Sequence, residues 1–203
     1  MTTLKYILLL IITIIFSMSS CKKEIPVTTD YSGKEIVAIH SDSVLLKDGS
    51  SFVIPEDSVS KVFYLTRHAE KDTSIQDNPP LTAAGKMRAE KIAEIFKSTR
   101  IDAIYTTLTL RAMYTAEALS NNKAMKILPY DNKSLKDVLA KIAKDNTTNR
   151  IFWVGHQNTV PAIVNTLAGK EIFTNIFDDS DYGNLIIVVQ YNSGNSDVYK
   201  LRY

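Results

Sequence analysis

Two histidines stand at the ends of apolar runs, where each could act on an anion. The first run, Val62-Phe63-Tyr64-Leu65-Thr66, leads into Arg67-His68-Ala69-Glu70. The second, Ile151-Phe152-Trp153-Val154, leads into Gly155-His156-Gln157-Asn158-Thr159. The chain of 203 residues has only three histidines, so two of the three follow candidate buried strands. In open α/β sheets, ligands bind at the carboxyl ends of the strands. An unperturbed histidine titrates at about 6.5, so much of it is neutral and nucleophilic at mild pH. Arg67 adds a fixed positive charge directly before His68, and Arg111 opens an amphipathic stretch just after another short apolar strand candidate. A guanidinium fork suits an oxyanion because it offers charged hydrogen bonds in one plane. Arg67, His68, Arg111 and His156 therefore predict a phosphate pocket. The third histidine, His40, reads as a surface residue.

The elements that must hold these groups follow an alternating pattern. From Val62 onward, strands are expected at 62–66, 102–106, 126–130, 150–155, 184–190 and, more weakly patterned, 197–202. Helices are expected at 82–98, 110–121, 134–144 and 159–168. In the first helix, Ala89, Ile92, Ala93 and Phe96 recur at the spacing of one buried face. Ala112, Thr115, Ala116 and Leu119 do the same in the second. Thr82 is an expected N-cap of the first, and Asn158 or Thr159 of the last. Strands alternating with helices imply a three-layer α/β/α sandwich around a mainly parallel sheet. Asn192-Ser193-Gly194-Asn195 should turn the last two strands into a hairpin. Upstream, 35–60 reads as a short β-rich segment with a hairpin signal at Asp48-Gly49, a spacer or cover on the main domain at 61–203.

The N-terminus points to export. Lys5 precedes the apolar run 6–16, and the small residues Ser17, Ser19 and Ser20 then precede Cys21. The run is short for a spanning helix, which needs about 20 apolar residues. Residues 1–20 resemble a bacterial lipoprotein signal. That resemblance implies lipid on Cys21, anchorage of the exported protein to a membrane of the cell envelope, and a polar linker at 21–34. Cys21 is the only cysteine, so no intrachain disulfide can form. The formal charge is +2, which argues against nucleic acid as a partner because such binders depend on a strong basic field.

Four motifs, in order, resemble those of the histidine phosphatase superfamily, the phosphoglycerate mutase-like proteins. Arg67-His68-Ala69-Glu70 resembles its Arg-His-Gly/Ala motif, and Leu81-Thr82-Ala83-Ala84-Gly85 its Leu-Thr-x-x-Gly helix start. Thr106 to Ala112, continuing through Thr115-Ala116-Glu117, resembles its Ser-Ser-Pro-Leu-x-Arg-Ala-x-x-Thr-Ala-Glu motif. Val154-Gly155-His156-Gln157-Asn158-Thr159 resembles its Val-Gly-His-x-x-Thr/Asn motif. The resemblance spans 62–169, and its compact form is similar to the short phosphohistidine-phosphatase-type members. The chain departs from the family at Thr106-Thr107-Leu108, where Ser-Ser-Pro is common; the hydroxyls stay and the stiffening proline is lost.

The resemblance implies a metal-independent phosphatase, without cofactor, acting on a phosphorylated small molecule or phosphoprotein. His68 would attack phosphorus and carry a phosphohistidine intermediate, splitting hydrolysis into two easier steps. Arg67, Arg111 and a protonated His156 would hold the phosphoryl oxygens, where negative charge spreads in the transition state. The N-terminus of the helix near Arg111 would add backbone donors. Glu70 reads as structural, and Asn158 as a substrate contact. A general acid for the leaving group is expected at Asp131, with Asp72 and Asp77 as rivals. Mutases carry longer closing insertions, so the short segment between Tyr105 and Ile151 implies an open pocket. The rival reading is an envelope lipoprotein that binds phosphate or a phosphosugar without turnover. A pure binder, however, needs no nucleophile.

Overall fold

A computed structural model describes residues 31–203. Residues 1–20, expected to be an export signal, Cys21 and most of the expected linker lie outside the described residues. Within Tyr31–Tyr203, which forms one compact unit, the apolar runs become a six-stranded mixed sheet. Its strands are β4 (Val59–Arg67), β5 (Ala103–Thr106), β6 (Ile127–Pro129), β7 (Arg150–Gly155), β8 (Asn184–Tyr191) and β9 (Ser196–Arg202). The order across the sheet is β6-β5-β7-β4-β8-β9. The first four in that order run parallel, and β8 and β9 add antiparallel edge pairing. The hairpin between β8 and β9 turns at Gly194, whose φ of 85° favours glycine.

Why β4 and β7 read as unbroken apolar runs follows from their place. Central parallel strands are covered on both faces, so alternation between apolar and polar residues is lost. Val62 and Tyr64 of β4, with Phe152 and Val154 of β7, pack on one face against Ile92, Ile95 and Phe96 of α1 (Ala83–Ile95) and its end, and against Ala116 and Leu119 of α2 (Leu110–Lys123). Phe63 and Leu65, with Ile151 and Trp153, face the other way. There they meet Ile142 of α3 (Leu135–Lys144) and Val160, Ile163 and Val164 of α4 (Thr159–Ala168). The molecule is thus three layers, with helices on both faces of the sheet.

The β-rich segment forms a second sheet of β1 (Ile36–His40), β2 (Ser43–Leu46) and β3 (Ser51–Val53), in that order. Its apolar side joins the core over α1: Ile36, Ile39, Val44 and Ile54 are fully buried there. The Thr99 hydroxyl donates to the Ile39 carbonyl, and Glu35 forms a parallel backbone bridge with Arg202, the last residue of β9. Asp48-Gly49 makes the expected turn, with Gly49 at φ 83°.

Candidate active site

Three adjacent parallel strands bring the reactive residues to one sheet edge. The register pairs Arg67 with Gly155 across β4 and β7, and Thr106 with Val154 across β5 and β7. The residues next along each chain, His68, His156 and Thr107, therefore gather beyond the C-terminal ends.

His68 is only 3% exposed. Its Nδ1 lies 2.8 Å from the carbonyl oxygen of Ala69. A carbonyl can only accept, so Nδ1 carries the hydrogen and Nε2 keeps its lone pair. Arg111 Nε donates to that Nε2 at 3.1 Å, which requires the same tautomer. The His156 ring stands edge-on to His68 with centroids 5.3 Å apart, and its Nε2 is 2.8 Å from the Thr107 hydroxyl.

Burial is the main force on both imidazoles. It holds His68 down at about 3; the Ala69 carbonyl opposes this, while the nearby charges of His156, Arg111 and Arg67 reinforce it. Burial, then Arg111, Arg67 and Lys71, hold His156 at about 4. Both rings are therefore neutral at pH 7 without ligand. Without an anion, two guanidinium groups in a desolvated site oppose a further positive charge on His156, so its expected protonation has to accompany a bound anion.

Arg67 is 1% exposed, and its fork is already engaged. Nη1 donates to the carbonyls of Asp178 at 2.8 Å and Asp179 at 2.9 Å, and Nη2 to the Asp179 carboxylate at 3.0 Å. Its Nε is buried and has no hydrogen-bond partner among the described residues. Arg67 can thus offer an oxyanion less of its fork than the sequence implies. The Arg111 guanidinium, by contrast, lines a cavity of about 690 Å³ together with His156, Thr107 and Thr109. The same cavity is also lined by Asp77, Asn78, Pro129, Asp131 and Val138.

Close backbone contacts explain the motif glycines. A Cβ on Gly85 would lie 2.4 Å from the Glu70 carbonyl oxygen, so only glycine lets α1 start against the segment after His68. Thr82 caps that helix by accepting from Gly85 N, and its own backbone N–H donates to the same Glu70 carbonyl. A Cβ on Gly155 would meet the Thr159 hydroxyl at 2.8 Å and Val160 Cγ2 at 2.9 Å. The Thr159 hydroxyl accepts from His156 N at 2.9 Å, so it fixes the turn that presents His156. Thr115 ties α2 to the same region: its hydroxyl accepts from Ala69 N and donates to the Arg111 carbonyl. Glu70 takes a bidentate pair from Arg88, in line with its structural reading.

Several expected contacts are not brought together. Asn158 is exposed at the N-cap of α4, makes no capping bond and is not among the residues that line the cavity, as His68 and Arg67 are not. Asp72 is spent in a local turn, accepting from the Ser74 backbone and hydroxyl, and is likewise off the wall. Asp131 and Asp77 remain on it, although one Asp131 oxygen caps the short turn Asn132–Ser134 through Lys133 N. At the start of α2, Leu110 N donates to the Asn78 side chain and Ala112 N to the Thr109 carbonyl, so few backbone donors stay free for an anion. Sequence reading missed Thr107 as a partner of His156, and it missed residues 178–182 altogether. Their only signal is a polar stretch before an apolar strand, which says no more than loop.

The model of the histidine phosphatase superfamily (branch 1) matches residues 63–134, a span that holds Arg67, His68 and Arg111. Over that span the chain is similar to the histidine phosphatase superfamily. His156 lies beyond the matched span, and the fold returns it to His68. Among solved structures, the protein histidine phosphatase SixA complexed with tungstate is 18% identical with a TM-score of 0.54, covering 70% of this chain and 96% of its own. YhfR of Bacillus stearothermophilus is 16% identical with a TM-score of 0.55, covering 68% and 95%. A phosphoserine phosphatase variant of Entamoeba histolytica, in complex with phosphoserine, is 17% identical with a TM-score of 0.52, covering 68% and 94%. At these identities the likeness is one of fold. No curated protein matches the chain.

Proposed function

We propose that this protein is a metal-independent phosphatase that hydrolyses a phosphomonoester or phosphohistidine through a phosphohistidine on His68. One observation carries the reading: His68 is held neutral, with Nδ1–H committed to the Ala69 carbonyl and the Nε2 lone pair beside Arg111. A structural histidine has no need of a guanidinium on its free lone pair. A phosphoryl group entering from the cavity draws Arg111 from His68 Nε2 to its own oxygens, because a charge-assisted bond to an oxyanion is stronger than one to a neutral imidazole. Nε2 then attacks phosphorus, the P–O bond to the leaving group breaks, and a wall carboxyl group, Asp131 or Asp77, protonates the departing oxygen. Water next attacks phosphorus and gives a proton back to the wall carboxylate as the P–N bond breaks, releasing phosphate and restoring neutral His68. The dianion favours proton uptake by His156, which can then donate to the phosphoryl oxygens through Nε2.

The proposal extends to placement: an exported lipoprotein anchored to a membrane of a bacterial cell envelope through lipid on Cys21. Support lies in the order of Lys5, the apolar run and Cys21 in the sequence. No helix among the described residues is long and apolar enough to cross a membrane.

The test is turnover of an aryl phosphate with acid-quench trapping, in excess chelator, on wild type and His68→Ala. Chelator-resistant turnover and an acid-labile, base-stable label, both lost in His68→Ala, are expected. Orthophosphate binding without turnover or label would instead favour the phosphate-binding lipoprotein.

A further inference from the structure

Residues 178–182 carry no motif, yet they make most of the contacts of a buried cation in the site. The three Arg67 bonds to Asp178 and Asp179 are joined by a longer one from Nη1 to the Asp181 carbonyl at 3.3 Å. The guanidinium lies over the ring of Tyr182, 4.2 Å from its centroid. The same ring is tilted against His68, with centroids 6.0 Å apart. The segment is itself pinned at both ends. Phe177 N donates to the carbonyl of Gln157, next to His156, and the Asp181 carboxylate accepts from Asn184 and Arg202.

This socket leaves one donor of the guanidinium unused. It satisfies both terminal nitrogens of Arg67 and stacks one face, but Nε remains buried without a partner among the described residues. A buried donor left unpaired costs the fold, so a merely structural arginine has no reason to keep one. It does have a use beside a nucleophile that receives a phosphoryl group. We propose that Asp179 and Tyr182 are positioning residues, holding Arg67 by its terminal nitrogens and its face so that Nε is kept for a phosphoryl oxygen at His68. Taking the anion to be a phosphoryl group rests on the phosphatase reading; the socket itself does not.

Three features follow from the contacts. The Tyr182 ring, rather than its hydroxyl, meets the guanidinium, so phenylalanine should serve and alanine should not. The Asp179 contact is a single acceptor oxygen on an exposed carboxylate, so asparagine should replace it better than alanine. Each effect must run through Arg67 and vanish when Arg67 is absent.

The experiment measures orthophosphate binding by calorimetry and aryl phosphate kinetics on the full chain. Variants are Tyr182→Ala, Tyr182→Leu, Tyr182→Phe, Asp179→Ala and Asp179→Asn, with the first two repeated in an Arg67→Ala background. We expect Tyr182→Ala and Tyr182→Leu to weaken orthophosphate binding and lower kcat/KM by about tenfold, with Tyr182→Phe and Asp179→Asn near wild type. In the Arg67→Ala background the Tyr182 changes should add little, the mark of a coupled pair. Tyr182→Leu keeps apolar bulk and so covers the case in which alanine unfolds the loop. Wild-type affinity in Tyr182→Leu, or an undiminished loss after Arg67→Ala, overturns the proposal. If wild type binds orthophosphate with this coupling but turns nothing over, the positioning role stands and the phosphatase reading falls.

Discussion

Mild acid should weaken this fold before the carboxylates respond. His68 is 3% exposed, and burial with its cationic neighbours holds it at about 3. In the unfolded chain the same ring takes up a proton at about 6.5. Between those two values the unfolded state carries more protons than the folded one. The stability is therefore complete above about pH 6.5 and is lost as pH falls toward the folded value. At pH 5, about 1.5 pH units below the ordinary histidine value, His68 alone should cost about 2 kcal/mol of stability. His156, held at about 4 but more exposed, adds a smaller loss of the same sign. Carboxylates held down by local bonds, such as Glu35 at about 2 through Lys47 and Lys91, lose their contribution mainly below pH 5. The assay is urea unfolding at about pH 7.5 and pH 5 on wild type and His68→Asn, whose amide does not titrate. Wild type should lose about 2–3 kcal/mol across that interval, and His68→Asn about 2 kcal/mol less than wild type. Equal wild-type stability at both pH values, or an equally steep fall in His68→Asn, would refute the claim that burial keeps His68 neutral.

Two further substitutions probe the scaffold and the leaving group. Gly85→Ala places a Cβ 2.4 Å from the Glu70 carbonyl oxygen, so it should destabilise by about 1–3 kcal/mol and lower kcat, despite alanine's better helix propensity; a thermal midpoint at or above wild type would contradict that contact. Asp131→Asn should slow an alkyl phosphate by about 10²-fold or more while sparing an aryl phosphate, which needs little acid help. If Asp77→Asn shows that pattern and Asp131→Asn does not, the acid is Asp77.

Much of the fold was legible because its signals are local. Helix α1 is set by a four-residue apolar spacing and a threonine cap, and its expected span of 82–98 contains Ala83–Ile95. The unbroken apolar runs at 62–66 and 150–155 mark strands covered on both faces, and they lie within β4 and β7. The glycines at 49 and 194 mark turns that need positive φ. Fewer features of the site were legible. Nothing near Arg67 shows that its fork is filled by carbonyls more than 100 residues away in sequence. Nor does the type of residue at 158 or 72 tell whether its side chain meets the cavity, since a local turn or a helix start decides that.

The sequence by itself determined the kind of chemistry and the list of groups that could perform it. Arginine before histidine, a second arginine on a helix start and a second histidine after a strand are choices of residue type, and residue type is local. The tertiary structure alone decided what those groups are. Strand β7, late in the chain, inserts between β5 and β4, and this brings His156 to within 5.3 Å of His68. Burial then removes the charge from both rings, and the segment before β8 closes over Arg67. Desolvation and long-range hydrogen bonding depend on which distant segments pack together, so no reading of adjacent residues could supply the protonation states or the partners.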